Sequence, residues 1–401
     1  PEAVIVAATR TPIGRANKGS LVDCRPDDLS AHVVKAALAR VPALDPAEVE
    51  DVLWGCGQPA GESGYNVARV VTLLAGIPQA PGVTVNRYCS SSLQTIRMAA
   101  HAIKAGEGDT FVAGGVETVS RFRKGMSDGL PDTHDPLFAD AEARTVARTA
   151  GGQPPWTPEP GLPDVYIAMG QTAENVAEAE HVTREEMDEF ALRSQQRAVE
   201  AQKNGFFERE ITPVTAPDGT LVSADDGPRP DTTLEKLASL QPAFRPGGTV
   251  TAGNACPLND GAAATVVMSD TRAKELGIAP LARVVASGVS ALDPEIMGLG
   301  PIEASRQALR RAGLSIDDID LVEINEAFAA QVVPSAKHLG VPWDKLNVHG
   351  GAIALGHPFG MTGARIMATL LNGLEDRGGR YGLETMCVGG GQGMAMVVER
   401  L

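Results

Sequence analysis

The chain has 401 residues, 43% hydrophobic and 21% charged, which is the composition of a globular protein with room for two or three ordinary domains. Its net charge of −15 argues against nucleic acid or an anionic membrane as a general partner, although a local basic pocket can still take an anionic ligand. No apolar run reaches the length of a membrane span. The five cysteines are spaced widely and irregularly with no Cys-x-x-Cys pair, so neither a zinc site nor a disulfide framework is expected.

Taken in chain order, Pro1 to Ala8 reads as the start of a strand and not as a signal peptide, which makes a reducing cytosol the default compartment. Leu29 to Arg40 is helix-like and leads through Asp45-Pro46-Ala47-Glu48-Val49 to a strand at Asp51-Val52-Leu53-Trp54-Gly55. Cys89 follows in Arg87-Tyr88-Cys89-Ser90-Ser91-Ser92. Leu93, Ile96, Ala100 and Ile103 then mark a helix before the strand Thr110-Phe111-Val112-Ala113-Gly114. From about Arg121 to Ala255 the pattern breaks into proline, charge and short polar turns. One charged helix is expected there, from about Thr183 to Asn204, opened by the capping box Thr183-Arg184-Glu185-Glu186. The first pattern then returns. A helix over Ala304 to Ala312 leads to Ser315-Ile316-Asp317-Asp318 and a strand over Asp320 to Asn325. His357 stands at nearly the same distance from this strand as Cys89 does from its own, in Gly356-His357-Pro358. A helix marked by Ile366, Leu370 and Leu374 and a strand over Tyr381 to Val388 complete the second series.

Two matching β/α series imply an old duplication. Their short, wholly apolar strands predict buried, largely parallel sheets, with two halves face to face and the reactive loops at the junction. The first half spans residues 1–121 and is completed by about 256–272. The second spans 273–401. Residues 122–255 read as an inserted loop domain, the kind of insertion that forms a lid or ligand surface on a rigid scaffold.

Four residues carry chemistry. Cys89 stands at a helix start, where unpaired N–H groups and the helix dipole favour a thiolate, although a lone cysteine serves equally as a small buried hydrophobe. His357 is the imidazole placed to act as a base, in a turn predicted to open the matching helix with Pro358 in its first turn. A turn or capping histidine is the plainer alternative. Cys387 precedes Gly389, Gly390 and Gly391, a run that lets backbone N–H groups approach a ligand as an oxyanion site. An incidental thiol in a tight turn is the other reading. Asn325 ends a strand, where its amide could hold a carbonyl or a water, or cap the next helix. A thiol nucleophile, an imidazole base and a second thiol are the parts needed to move an acyl group and to make or break a carbon–carbon bond.

With Asn325-Glu326-Ala327-Phe328-Ala329, Gly350-Gly351-Ala352-Ile353-Ala354-Leu355-Gly356-His357-Pro358, Gly248-Thr249-Val250-Thr251-Ala252-Gly253-Asn254 and the terminal Cys387-Val388-Gly389, the chain resembles the thiolase family over essentially its whole length, from Arg10-Thr11-Pro12-Ile13-Gly14 onward. The resemblance implies an α/β fold of duplicated five-layer αβαβα type, with the inserted loop domain covering a coenzyme A site, and a homodimer or homotetramer. It implies that Cys89 carries the acyl group, His357 activates it, Cys387 moves the α-carbon proton and Asn325 holds a water at one oxyanion hole. The backbone N–H groups of Cys89 and Gly389 would form the other. It also places Met169, Arg229, Phe244, Ala252 and Cys256 beside CoA, as substrate, with no metal. Two positions depart from the family pattern. Ala168 precedes Met169-Gly170-Gln171-Thr172-Ala173-Glu174-Asn175 where short-chain biosynthetic members carry histidine, which favours longer or bulkier acyl chains. Cys256 stands where serine is common and offers a poorer hydrogen-bond partner. A condensing enzyme of the ketoacyl-synthase type is the alternative, and Cys387 ahead of Gly389 argues against it.

Overall fold

The computed structural model describes residues 1–124, 128 and 132–401, so the remaining positions of the loop segment lie outside the described residues. The first series runs β1 (Ala3–Arg10), β2 (Gly14–Arg15), α1 (Pro26–Ala39), β3 (Asp51–Gly55), α2 (Val67–Ala75), β4 (Gly82–Val85), α3 (Ser91–Ala105) and β5 (Thr110–Thr118). Then come α4 (Ala139–Thr149), α5 (Met169–Ala179), α6 (Arg184–Lys203), β6 (Val214–Thr215), β7 (Leu221–Val222) and α7 (Leu234–Ala238), followed by β8 (Asn259–Ser269) and α8 (Asp270–Glu275). The second series comprises β9 (Ala282–Ala291), α9 (Gly300–Ala312), β10 (Leu321–Ile324), α10 (Ala329–Leu339), α11 (Ala352–Leu355), α12 (Thr362–Arg377), β11 (Tyr381–Val388) and β12 (Gln392–Arg400). The capping box that opens α6 is formed, with Thr183 and Glu186 each bonding the other's backbone N–H.

The duplication is explicit in the strand order. The first half reads β4-β3-β5-β8-β1 and the second β10-β11-β12-β9, and a short antiparallel contact between β1 and β9 joins them edge to edge. In both halves a parallel pair (β3 with β5, β10 with β11) is followed by antiparallel ones (β5-β8-β1, β11-β12-β9). Even β4 has its counterpart, a parallel bridge from Val322 of β10 to Leu346. The expected largely parallel sheets are therefore mixed. Strands such as β1, β5, β8 and β11 are buried on both faces and read as apolar runs whichever way they point, so burial leaves no trace of direction in the sequence.

Three apolar cores separate five layers. One packs α1 and α2 on the outer face of the first sheet through Leu29, Val33, Val71 and Val52. Another packs α9 and α10 on the outer face of the second through Ala304, Ala308, Val332 and Val397. The central core holds Leu93, Ile96 and Ile103 of α3 and Ile366, Leu370 and Leu374 of α12, with Ile5, Ala113, Met386 and Met396 of both sheets. Leucine, isoleucine, valine and alanine supply most of this burial, as the 4% aromatic content requires. The segment between β5 and β8 adds no strand to the large sheet among the described residues; its β6 and β7 pair only with each other. It is tied down by Arg10 of β1, whose buried guanidinium bonds Glu210 at 2.7 Å and both oxygens of Asp225 at 2.7 and 2.9 Å. No helix among the described residues is long and apolar enough to cross a membrane.

Candidate active site

Cys89 lies in a single 3-10 turn, Tyr88–Ser90, that runs directly into α3. Tyr88 before it is held at a left-handed φ of 42°, a conformation that costs a non-glycine residue about 1–3 kcal/mol and needs support. Asn86 Oδ1 accepts the Tyr88 N–H at 2.8 Å, and Ser91 Oγ accepts the Arg87 N–H at 2.9 Å while donating to Tyr88 O at 2.7 Å. The serine run thus holds the turn that presents the thiol. Burial pushes the Cys89 thiol up to about 11, against the pull of the Gly389 and Cys89 backbone N–H groups aimed at its sulfur. Gly389 is itself fixed, because Gln392 Nε2 donates to its carbonyl at 3.2 Å and Arg87 holds Gln392 Oε1 at 2.9 Å.

His357 does not open a helix as the sequence predicts. It follows α11, and α12 begins only at Thr362, so Pro358 lies in the intervening turn and not at a first helical position. The ring is buried and held from both nitrogens: Nδ1 lies 2.6 Å from Thr362 Oγ1 and Nε2 lies 3.3 Å from Asn325 Nδ2. Its backbone N–H donates to Asn259 Oδ1 at 3.0 Å, and the ring meets Phe359 edge-on at 5.2 Å. Burial, helped by the charge of Arg365, holds the imidazole down at about 3, so the resting pair is a neutral thiol and a neutral imidazole. The two helix starts touch: Ser92 Oγ accepts the Ala364 N–H at 2.9 Å, and a Cβ on Gly363 would stand 2.3 Å from Leu93 N, so only glycine allows this approach.

Asn325 directly follows β10, with its side chain toward His357 and its Oδ1 buried without a partner among the described residues. Cys387 sits fully buried at the end of β11. Burial, then the neighbouring Cys89 and Cys256 thiols, raise its own thiol well above the ordinary range. Cys256 is partly exposed and bonded through its N–H to Ala327 O at 2.9 Å.

A cavity of about 520 Å³ opens onto Cys89, while His357, Asn325 and Cys387 are not among its lining residues. It is lined by Cys89, Tyr88, Gln58, Phe359, Gly389 and Gly390 together with Asp128, Thr133, His134 and Val165 to Met169. His134 and Tyr166 stack at 3.8 Å in that lining. Of the residues the family resemblance placed beside CoA, Met169 lines this cavity, as does its neighbour Ala168. Phe244 packs nearby, edge-on to Phe328 at 5.9 Å, with its carbonyl bonded by Gln171 Nε2 at 2.6 Å. Arg229 lies elsewhere, on a separate hollow of about 220 Å³ shared with Gln195 and Lys203, and Ala252 is exposed in a turn.

Three contributors escaped the sequence reading. Thr362 orients His357. Glu326 is buried and accepts from Ser194 Oγ at 2.6 Å, Asn347 Nδ2 at 2.8 Å and the Ile353 N–H at 3.1 Å, which ties the Asn325 loop to α6 and to the chain that leads to His357. Glu117, near the end of β5, bonds the Gly57 and Gly360 backbones next to the lining residues Gln58 and Phe359. A charged residue closing the apolar run Gly114-Gly115-Val116-Glu117 was the available signal for the last.

Comparison with known proteins identifies the family. Residues 3–271 match the thiolase N-terminal domain and residues 278–400 the thiolase C-terminal domain. The chain is 48% identical to a 3-ketoacyl-CoA thiolase of Pseudoalteromonas translucida strain TAC 125, with 99% of this chain and 98% of that protein aligned. It is 47% identical to a 3-ketoacyl-CoA thiolase of Serratia proteamaculans strain 568, with 99% of each aligned. The crystal structure of the Bacillus anthracis acetyl-CoA acetyltransferase superposes with a TM-score of 0.87 at 42% identity, covering 100% of this chain and 99% of that one. With both domains matched in order and full-length relatives near half identical, this chain belongs to the thiolase family.

Proposed function

We propose that the chain is a degradative 3-ketoacyl-CoA thiolase, an acyltransferase that uses CoA as substrate and also runs in reverse as a Claisen condensation, including acetoacetyl-CoA formation. The observation that carries this is the pairing of two different acid–base groups around one sulfur. Gly389 N–H meets the Cys89 sulfur and the Cys387 thiol lies close to it, and the bonded Asn325–His357 pair would supply the base beside them.

In thiolysis, His357 Nε2 takes the Cys89 proton and the thiolate attacks C3 of the 3-ketoacyl-CoA. The resulting alkoxide is held by the Cys89 and Gly389 N–H groups. The C2–C3 bond breaks, its electrons form the enolate of acetyl-CoA, and the enolate oxygen is stabilised on the Asn325/His357 side. Cys387 gives C2 its proton and acetyl-CoA leaves; the Cys387 thiolate then takes the proton of the free CoA thiol, whose sulfur attacks the acyl carbon, and the C–S bond to Cys89 breaks as His357 returns its proton to the Cys89 sulfur. A ketoacyl-synthase chemistry would replace Cys387 by a histidine and take its acyl group from a carrier protein, and neither fits a thiol at this position.

Residues 122–255 act as a loop domain over the site, in keeping with the cavity wall they supply. Met169, Phe244, Ala252 and Cys256 would flank the pantetheine arm, and Arg229, which makes no salt bridge among the described residues, would serve the nucleotide end. On this reading the two hollows would take the two ends of an extended CoA. Assembly as a homodimer or homotetramer fits the edge strand β4, beside which Tyr65 is 98% exposed and Leu73, Leu74 and Val83 also face solvent. The reaction calls on no metal, nucleic acid or membrane, and the cytoplasm supplies its substrates and keeps its thiols reduced.

Thiolysis rates with CoA for 3-ketoacyl-CoA substrates from four carbons upward test the reading. Rates that rise with chain length support it. Activity confined to acetoacetyl-CoA would leave a thiolase but remove its degradative role, and no turnover of any member would overturn it.

A further inference from the structure

Glu117 is a buried carboxylate on β5 with no part in the reaction just described. Its two oxygens accept three backbone N–H groups from loops of both halves: Gly57 at 2.8 Å and Gln58 at 3.2 Å from the loop after β3, and Gly360 at 2.9 Å from the turn after His357. The Cys56 thiol adds a weaker contact at 3.6 Å. The turn it grips is threaded between strand ends of the first half. A Cβ on Gly360 would stand 2.2 Å from Val116 O and 2.7 Å from Gly55 O, so the turn has no slack there. Gln58 and Phe359, each adjacent to a gripped peptide, are walls of the cavity that Cys89 shares, and Phe359 also packs on the His357 ring.

Electrostatic activation of the nucleophile does not account for this residue. A negative charge at Glu117 raises the Cys89 thiol, the wrong direction for making a thiolate. What the carboxylate offers is a set of acceptors at one point, which an apolar or amide side chain of the same size cannot supply. We propose that Glu117 is a positioning residue that sets the spacing between the Cys89 nucleophile of one half and the His357 base of the other, by clamping the Gly57-Gln58 and Phe359-Gly360 backbones together.

The inference rests on the thiolase reading for its activity readout, so the test adds a readout that needs no substrate. Glu117→Gln keeps the shape but offers one acceptor oxygen and turns an NH2 group toward N–H donors. Glu117→Asp keeps both oxygens one methylene short. In the full-length enzyme, Glu117→Gln is expected to lower kcat on the order of 10²-fold, the cost of a misplacement of about 1 Å, with KM for CoA within about threefold. Cys89 alkylation by iodoacetamide at neutral pH, followed on the Cys89 peptide by mass spectrometry, should slow about tenfold for want of an aligned base. Glu117→Asp should recover a good part of both rates at an equal or lower melting temperature. Wild-type levels of kcat and alkylation in a folded Gln variant would overturn the proposal. Faster alkylation would overturn it in favour of a purely electrostatic effect. Equal losses in Asp and Gln that follow melting temperature would overturn it in favour of a structural role. Slowed alkylation in an enzyme that thiolyses no 3-ketoacyl-CoA would uphold the clamp while sinking the thiolase reading.

Discussion

Thr362 Oγ1 and His357 Nδ1 lie 2.6 Å apart, and that contact decides which nitrogen of the imidazole is left free to accept a proton. The threonine hydroxyl donates its one hydrogen to Pro358 O at 2.8 Å, so its oxygen must accept from the ring. The proton therefore sits on Nδ1, and the lone pair of Nε2 faces the Asn325 amide. Thr362→Val keeps the shape and removes the acceptor, leaving a buried N–H unpaired at a cost of about 1–3 kcal/mol. Chemical denaturation should show that loss. Steady-state kinetics should show a lower kcat with KM values little changed, and Thr362→Ser should restore both.

The depressed imidazole has a consequence for stability. In the unfolded chain His357 titrates near its ordinary value of about 6.5, whereas in the folded protein it stays neutral down to about 3. Between those values the unfolded state binds the extra proton, so this residue makes the protein less stable as pH falls below about 6.5, by up to about 1.4 kcal/mol per unit. Below about 3 the effect is complete. Urea unfolding at pH 7 and pH 5 is expected to show a drop in the native protein that is larger, by on the order of 2 kcal/mol, than in His357→Asn. Equal drops would mean that the folded ring titrates normally.

Cys387→Ser tests the second thiol separately from the first. A hydroxyl in that buried place is a far weaker acid, so carbon protonation should slow by about 10²–10⁴-fold. Cys89 lies on another element with its own N–H donors, and it should still form the acyl enzyme from an acyl-CoA. Mass spectrometry of the intact protein after incubation with acetyl-CoA checks this. A fully active serine variant would remove Cys387 from the mechanism.

Ala168 lines the cavity beside Met169, and its small side chain leaves space there. Ala168→His fills that space and adds a polar ring. It should cost longer 3-ketoacyl substrates about 10–200-fold in kcat/KM, the discrimination of a methylene or more in an apolar pocket, and change acetoacetyl-CoA little. Uniform loss across the chain-length series would show that position 168 does not face the acyl chain.

Periodicity and turn chemistry were enough to read much of this molecule from its sequence. β3 and β11 fall on the predicted residues, and α6 is opened by the predicted Thr183–Glu186 box. The return of the same order of elements revealed the duplication. Strand direction was illegible, because a strand covered on both faces shows no alternation to betray its neighbours. The start of α12 was misplaced because Gly-His-Pro carries turn and helix-start signals alike, and only the packing of Gly363 on Leu93 fixes where the helix begins. In the site, Cys89, His357, Asn325 and Cys387 stood out because each interrupts a regular pattern with a reactive group. Thr362 and Glu117 did not. A threonine at a helix start and a glutamate at a strand end are ordinary locally, and their roles exist only across contacts between residues far apart in the chain.

The middle layer of the fold is built from one helix of each series, α3 and α12, pressed together between the sheets. Cut the chain into its two repeats and each would carry an inner helix with an oily flank and nothing to lay it against. Neither repeat therefore buries its inner helix without the other. The seam between them is built from matching elements but carries unlike groups: Cys89 leads directly into α3, whereas His357 stands in a turn ahead of α12.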